Sequence, residues 1–116
     1  MPLVQLFAPA EAGSPAERGA LLSDLSRLAA EHFGKPERWV MTCFVPAALT
    51  FGGTAAPACF VAVKNIGTMK PDDTARLSAA LSERIAKALG IGKDRIYIDF
   101  ADATDYLWGW NGETFG

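Results

Sequence analysis

A chain of 116 residues, 50% apolar and 21% charged, holds enough apolar side chain to fold as one domain and too much to remain disordered. Its 11 Lys and Arg against 13 Asp and Glu leave a net charge of −2, which gives no reason to expect the basic face and nucleic-acid partner of a phosphate-binding protein. No apolar run approaches the ~18 residues of a membrane-spanning helix, so no membrane partner is expected.

Residues 3–8 read as a short strand following Met1-Pro2. No basic segment and apolar run precede it, so no secretory leader is expected. The placement read from this is cytoplasmic, with export by a leaderless route left open. Ser14 and Pro15 signal a helix start, as N-cap and first-turn proline. From Ala16 to Phe33 the apolar residues Leu21, Leu22, Leu25, Leu28, Ala29 and Phe33 share one broad helical face, and Gly34 and Pro36 end it. Trp39–Val45 is a second strand, closed by Pro46. The stretch Thr50-Phe51-Gly52-Gly53-Thr54 reads as a flexible connection to a third strand over about Cys59–Val63. Lys70-Pro71-Asp72-Asp73 leads into a second amphipathic helix burying Leu77, Leu81, Ile85 and Leu89 and stopped by Gly90. Arg95–Phe100 is the fourth strand, and Asp102–Asp105 a turn.

The two halves repeat at a spacing of 56–57 residues: Phe33-Gly34-Lys35-Pro36-Glu37-Arg38-Trp39-Val40 corresponds to Leu89-Gly90-Ile91-Gly92-Lys93-Asp94-Arg95-Ile96-Tyr97, with one extra residue in the second copy, each a helix end, a polar turn and a strand entered through an Arg. The fold class is α/β: a duplicated β-α-β unit forming a four-stranded mixed sheet with two helices on one face, as one domain over residues 1–116. The opposite sheet face is expected to carry Leu3, Phe44, Val61, Val63 and Ile98, and so to associate with further subunits. Cys43 and Cys59 read as reduced, packed thiols. With His32 as the one histidine, no metal site is expected, and neither a GxGxxG nor a Walker A lysine suggests a cofactor.

Six elements, in order and at similar spacing, carry a resemblance: Met1-Pro2; Gly34-Lys35-Pro36; Phe51-Gly52-Gly53-Thr54; Asn65-Ile66-Gly67; Asp94-Arg95-Ile96-Tyr97-Ile98; and Gly109-Trp110-Asn111-Gly112-Glu113-Thr114-Phe115. The chain resembles the macrophage migration inhibitory factor family of the tautomerase superfamily. The resemblance implies a homotrimer whose sheets line a central barrel, with active sites at subunit interfaces. It implies Pro2, exposed after removal of Met1, as the catalytic base. Lys35 and Ile66 are implied as pocket residues of the same subunit, with Lys35 near the substrate carboxylate. Tyr97 and Asp99 are implied as contributions of the adjacent subunit. Trp39, Trp108, Trp110 and Phe115 correspond to an aromatic wall and rim.

Three departures bear on this. Asp99 stands where the human family member has asparagine, and Trp108 stands where a smaller aliphatic residue is usual. The Cys-x-x-Cys pair is missing, since Ala58-Cys59-Phe60-Val61 keeps no such spacing, so thiol–disulfide chemistry does not carry over.

The implied chemistry is keto–enol tautomerisation of an aromatic α-keto acid, of the phenylpyruvate or dopachrome type, without metal or cofactor. An ordinary α-amine has a pKa near ~8, so the amine of Pro2 must be shifted down to act as a base near neutral pH. An apolar pocket of Ile66, Trp108 and Phe115, with Lys35 as a like charge, supplies that shift. Alternatives stay open residue by residue. Lys35 also suits a solvated helix C-terminus. Tyr97 also suits strand packing, Trp39 and Trp108 an interface, and Asp99 a solvent-facing position or a second acid/base. His32 reads as a helix-end or surface residue. At the level of the whole protein, the alternatives are a signalling or host-modulating protein with vestigial catalysis, and a hydratase or decarboxylase of a small unsaturated or semialdehyde acid.

Overall fold

The computed structural model describes residues 2–116. Strand β1 (Leu3–Ala8) is followed by helix α1 (Pro15–Phe33), strand β2 (Met41–Pro46), strand β3 (Cys59–Ile66), helix α2 (Pro71–Leu89) and strand β4 (Ile96–Ala103). A short hairpin of β5 (Gly109–Trp110) and β6 (Glu113–Thr114) ends the chain.

The duplication is exact in its landmarks. Each helix has 19 residues and begins with proline, at 15 and 71. Each ends on a left-handed glycine, Gly34 (φ 62°) or Gly90 (φ 67°), a backbone conformation in which a Cβ is costly. The N-terminus of α1 is closed by a reciprocal pair: the Glu17 backbone N–H donates to Ser14 Oγ at 3.1 Å and the Ser14 N–H to Glu17 Oε1 at 2.8 Å.

The sheet order is β2-β1-β3-β4. Strands are parallel within each half (β1 with β2, β3 with β4), and the halves join through antiparallel β1 and β3. Both helices pack on one sheet face. Leu21 and Leu25 of α1 and Leu77, Leu81 and Ile85 of α2 share a core with Val4, Leu6, Val61 and Val63. Each such side chain contributes roughly 1.5–3 kcal/mol of burial. Across the helix pair, Arg84 NH1 meets Asp24 Oδ1 at 2.7 Å.

Three sequence expectations are corrected. Trp39 and Arg95 do not open strands; each closes a 3₁₀ turn, at Glu37–Trp39 and Lys93–Arg95. Strand β3 runs three residues further, to Ile66, and β4 takes in Asp102 and Ala103, which pair with Asn65 and Ile66. The outer sheet face was also misassigned. Val61 and Val63 are fully buried under the helices, and Phe44 and Ile98 pack against the same core. Side chains alternate along each strand, so the outer face keeps Leu3 as expected but otherwise carries Phe7, Phe60, Ile66 and Tyr97. Phe7 and Phe60 touch there, with ring centroids 5.7 Å apart. No helix among the described residues covers this face, so the expectation of association keeps its basis with a different residue set.

No helix among the described residues is long and apolar enough to cross a membrane. Both cysteines are free thiols, and burial pushes Cys59 up to about 12.

Candidate functional site

Pro2 lies at the head of β1 and is fully buried, its carbonyl accepting the Met41 N–H at 3.0 Å as the β1–β2 pairing begins. Opposite it, the C-terminal hairpin turns at Asn111 (φ 52°) and Gly112 (φ 79°). Asn-Gly is the pair best suited to two consecutive positive φ angles, because asparagine tolerates the left-handed region and glycine has no Cβ. A bond from the Phe115 N–H to the Trp108 carbonyl, 3.1 Å, folds the tail back on itself.

This turn assembles the aromatic residues. Trp39 meets Trp110 edge-on at 4.8 Å and Phe115 at 6.2 Å, while Trp110 and Phe115 stack at 6.2 Å with planes 13° apart. Between this cluster and Pro2 is a cavity of about 600 Å³. Pro2, Trp39, Trp108, Trp110 and Phe115 line it, so five of the sequence-predicted site residues come together in one place.

The other four are elsewhere in the single chain. Lys35 follows the left-handed Gly34 and turns its side chain back to β3. Its Nζ donates to Asn65 Oδ1 at 2.8 Å and to the Ile66 carbonyl at 2.7 Å. Burial lowers its pKa from the ordinary 10.5. Lys35 and Ile66 thus meet each other but do not line the cavity. Tyr97 and Asp99 sit on the outer face of edge strand β4, exposed, and are also absent from the cavity wall.

Tyr97 is 66% exposed and touches Phe51 at 4.7 Å. The loop that carries Phe51 is not a free linker. Arg95 binds four of its carbonyls: Pro57 through Nε at 2.9 Å, Ala56 and Thr54 through NH2 at 2.9 and 3.3 Å, and Phe51 through NH1 at 3.4 Å. Its guanidinium also stands 5.3 Å from the Phe51 ring. One arginine therefore ties the Phe51-Gly52-Gly53-Thr54 loop to the turn that ends at Arg95.

Sequence reasoning missed several cavity residues, among them Met41, Lys64, Asp102 and Leu107. For Lys64 the signal was present. It stands two residues before Ile66 on the same strand, and alternation puts both on the outer face. Its neighbours in register are Leu3 on β1 and Ala101 on β4, which also line the cavity.

The family model for macrophage migration inhibitory factor (MIF) matches residues 1–116. Among curated relatives, a macrophage migration inhibitory factor homolog of Trichinella spiralis is 37% identical over 95 residues, 81% of this chain and 83% of that protein. The factor of Xenopus tropicalis is 32% identical over 96 residues, 82% of this chain and 84% of that protein. Among solved structures, the homologue from Prochlorococcus marinus superposes with a TM-score of 0.91 at 42% identity, covering 98% of this chain and 99% of its own. The Toxoplasma gondii protein superposes at 0.92 with 32% identity, covering 97% and 99%. With a family model spanning every residue and close structural likeness over nearly the whole chain, this chain belongs to the macrophage migration inhibitory factor family.

Proposed function

We propose that this chain, once Met1 is removed, is a keto–enol tautomerase of aromatic α-keto acids that uses the amine of Pro2 as its general base. The observation that carries the reading is the burial of Pro2 against an aromatic-lined cavity. Burial disfavours an ammonium, so the amine freed there would be held in its neutral, proton-accepting form nearer neutral pH.

The reaction balances without a metal or cofactor. Pro2 nitrogen takes a proton from the carbon beside the carbonyl, a carbon–carbon double bond forms, and the carbonyl π pair moves to oxygen, which then accepts a proton. Trp39, Trp108, Trp110 and Phe115 pack the aromatic group of a phenylpyruvate or dopachrome-type substrate. Two of the three Lys35 N–H groups are held by Asn65 and Ile66, leaving the third for the substrate carboxylate and the charge growing on oxygen.

The working assembly is a homotrimer of this one domain. The uncovered outer sheet face supports it, as does the position of Tyr97 and Asp99, which stand on that face and away from the cavity of their own chain. In the trimer they complete the site of the adjacent subunit.

The test is turnover of phenylpyruvate and hydroxyphenylpyruvate by protein whose intact mass establishes an N-terminal proline. Sedimentation equilibrium at micromolar concentration should give close to three times the chain mass. Absence of turnover by such a trimer would overturn the assignment.

A further inference from the structure

Lys64 is exposed, lines the Pro2 cavity, and has no partner among the described residues: no carboxylate and no carbonyl binds its ammonium. The neighbouring cavity carboxylate, Asp102, is committed through Oδ1 to the Met69 N–H at 2.9 Å. Lys35, by contrast, sits outside the cavity wall with its ammonium already bound by two protein oxygens. The end of β3 thus has two ammoniums in different positions, Lys35 anchored by two protein oxygens and Lys64 on the cavity wall with no partner among the described residues.

We infer that Lys64 is a second anion-binding residue of the Pro2 cavity and selects α-keto acids that carry a second carboxylate on their aromatic part. The inference rests on the tautomerase reading of Pro2. Its chemistry is simple. Lys64 shares the cavity wall with Trp39, Trp108 and Trp110, and a carboxylate brought beside its ammonium there forms a charge-assisted bond next to apolar surface. The cavity, about 600 Å³, has room for a substituted ring. The strand register fixes the backbone of Lys64 between Leu3 and Ala101, one residue from Pro2 along β1, so the free charge is carried by a rigid sheet.

The experiment compares kcat/KM for phenylpyruvate with that for meta- and para-carboxyphenylpyruvate, using the mature trimer and its Lys64→Met and Lys64→Gln variants. The better carboxylated isomer is expected to be preferred over phenylpyruvate by the unmodified protein, and both variants should lower that preference at least tenfold. The Lys64 side chain has no hydrogen-bond or ion-pair partner among the described residues, so both variants should keep the fold, and sedimentation checks that they assemble. A preference unchanged within twofold in an assembled variant overturns the inference.

Protein with an extended N-terminus separates this from the underlying reading. If the extended protein is inactive while the Lys64 variants keep the preference, the base stands and the Lys64 inference falls. If the extended protein is fully active yet the variants lose the preference, Lys64 stands and the assignment of Pro2 as base falls.

Discussion

Lys35 donates to the side-chain oxygen of Asn65 at 2.8 Å, and through this bond the turn after α1 is tied to the far end of β3. Asn65 is 6% exposed, the one buried polar side chain in the described core, and Lys35 is the partner that satisfies it. The contact joins residues 30 apart in sequence and serves fold and site together.

Replacing Lys35 with Ala should therefore cost stability as well as activity. The Asn65 carbonyl oxygen would lose its partner, a penalty of about 1–3 kcal/mol for a buried acceptor, read as a fall in Tm. Activity should fall more for phenylpyruvate than for its methyl ester. Equal losses on acid and ester would remove the carboxylate-binding role while leaving the structural one.

The lowered pKa of Lys35 gives a pH dependence with a definite sign. Its hold on a carboxylate is full while the ammonium is charged and is lost as pH rises through a value below the ordinary 10.5. KM for phenylpyruvate should begin to rise on the alkaline side before that ordinary value is reached, with no matching rise for the ester. A rise shared by both substrates would point to general unfolding of the site instead.

Arg95→Ala should free the loop from Phe51 to Pro57, whose four carbonyls the guanidinium now binds. Hydrogen exchange at residues 51–57 should accelerate well ahead of the sheet. Arg95→Lys should not restore protection, because an ammonium lacks the planar fork that reaches several acceptors at once. Full rescue by Lys would show that charge alone holds the loop.

Helix limits were legible because they depend on local chemistry. Ser14-Pro15, Gly34 and Gly90 fix their own backbone geometry whatever lies around them. The faces of β3 were not legible, and the reason is visible in Cys59-Phe60-Val61-Ala62-Val63. Both alternate sets are apolar, so a period of two cannot say which set meets the helices. The four aromatic residues were found through the family pattern, but the hairpin that gathers them was missed, although Asn111-Gly112 is a strong local turn signal. The Lys35–Asn65 bond has no local signature at all. It follows from bringing the turn after α1 against the end of β3, which only the assembled sheet defines.

Cys59 is 3% exposed and lies on the core side of β3. Burial raises its pKa to about 12, so at pH 8 the thiol is protonated and should resist iodoacetamide until the protein unfolds. Cys59→Ser places a hydroxyl in the same apolar surroundings, at a cost of about 1–3 kcal/mol if it finds no partner. Tm should fall while kcat of the remaining trimer changes little. An assembled variant below about a tenth of the original activity would contradict a purely structural role for this thiol.

Pro2 gives the sharpest test of the proposed chemistry. Pro2→Gly keeps an amine at the mature N-terminus but loses the ring that fills the buried position and the more basic secondary nitrogen. Turnover of phenylpyruvate should fall by roughly 10²–10⁴-fold, the range expected for a positioned acid–base group. An N-terminal extension is the more severe change, because it keeps the Pro2 nitrogen in an amide that cannot take a proton. Lys35 is a poor substitute, since two of its N–H groups are committed to Asn65 and Ile66 and the third is assigned to the substrate carboxylate. Intact mass must establish the N-terminus of each protein, and sedimentation its assembly. An assembled, uniformly extended protein that turned over phenylpyruvate at the unmodified rate would transfer the search for the base to Asp99, the exposed carboxylate on the outer face of β4.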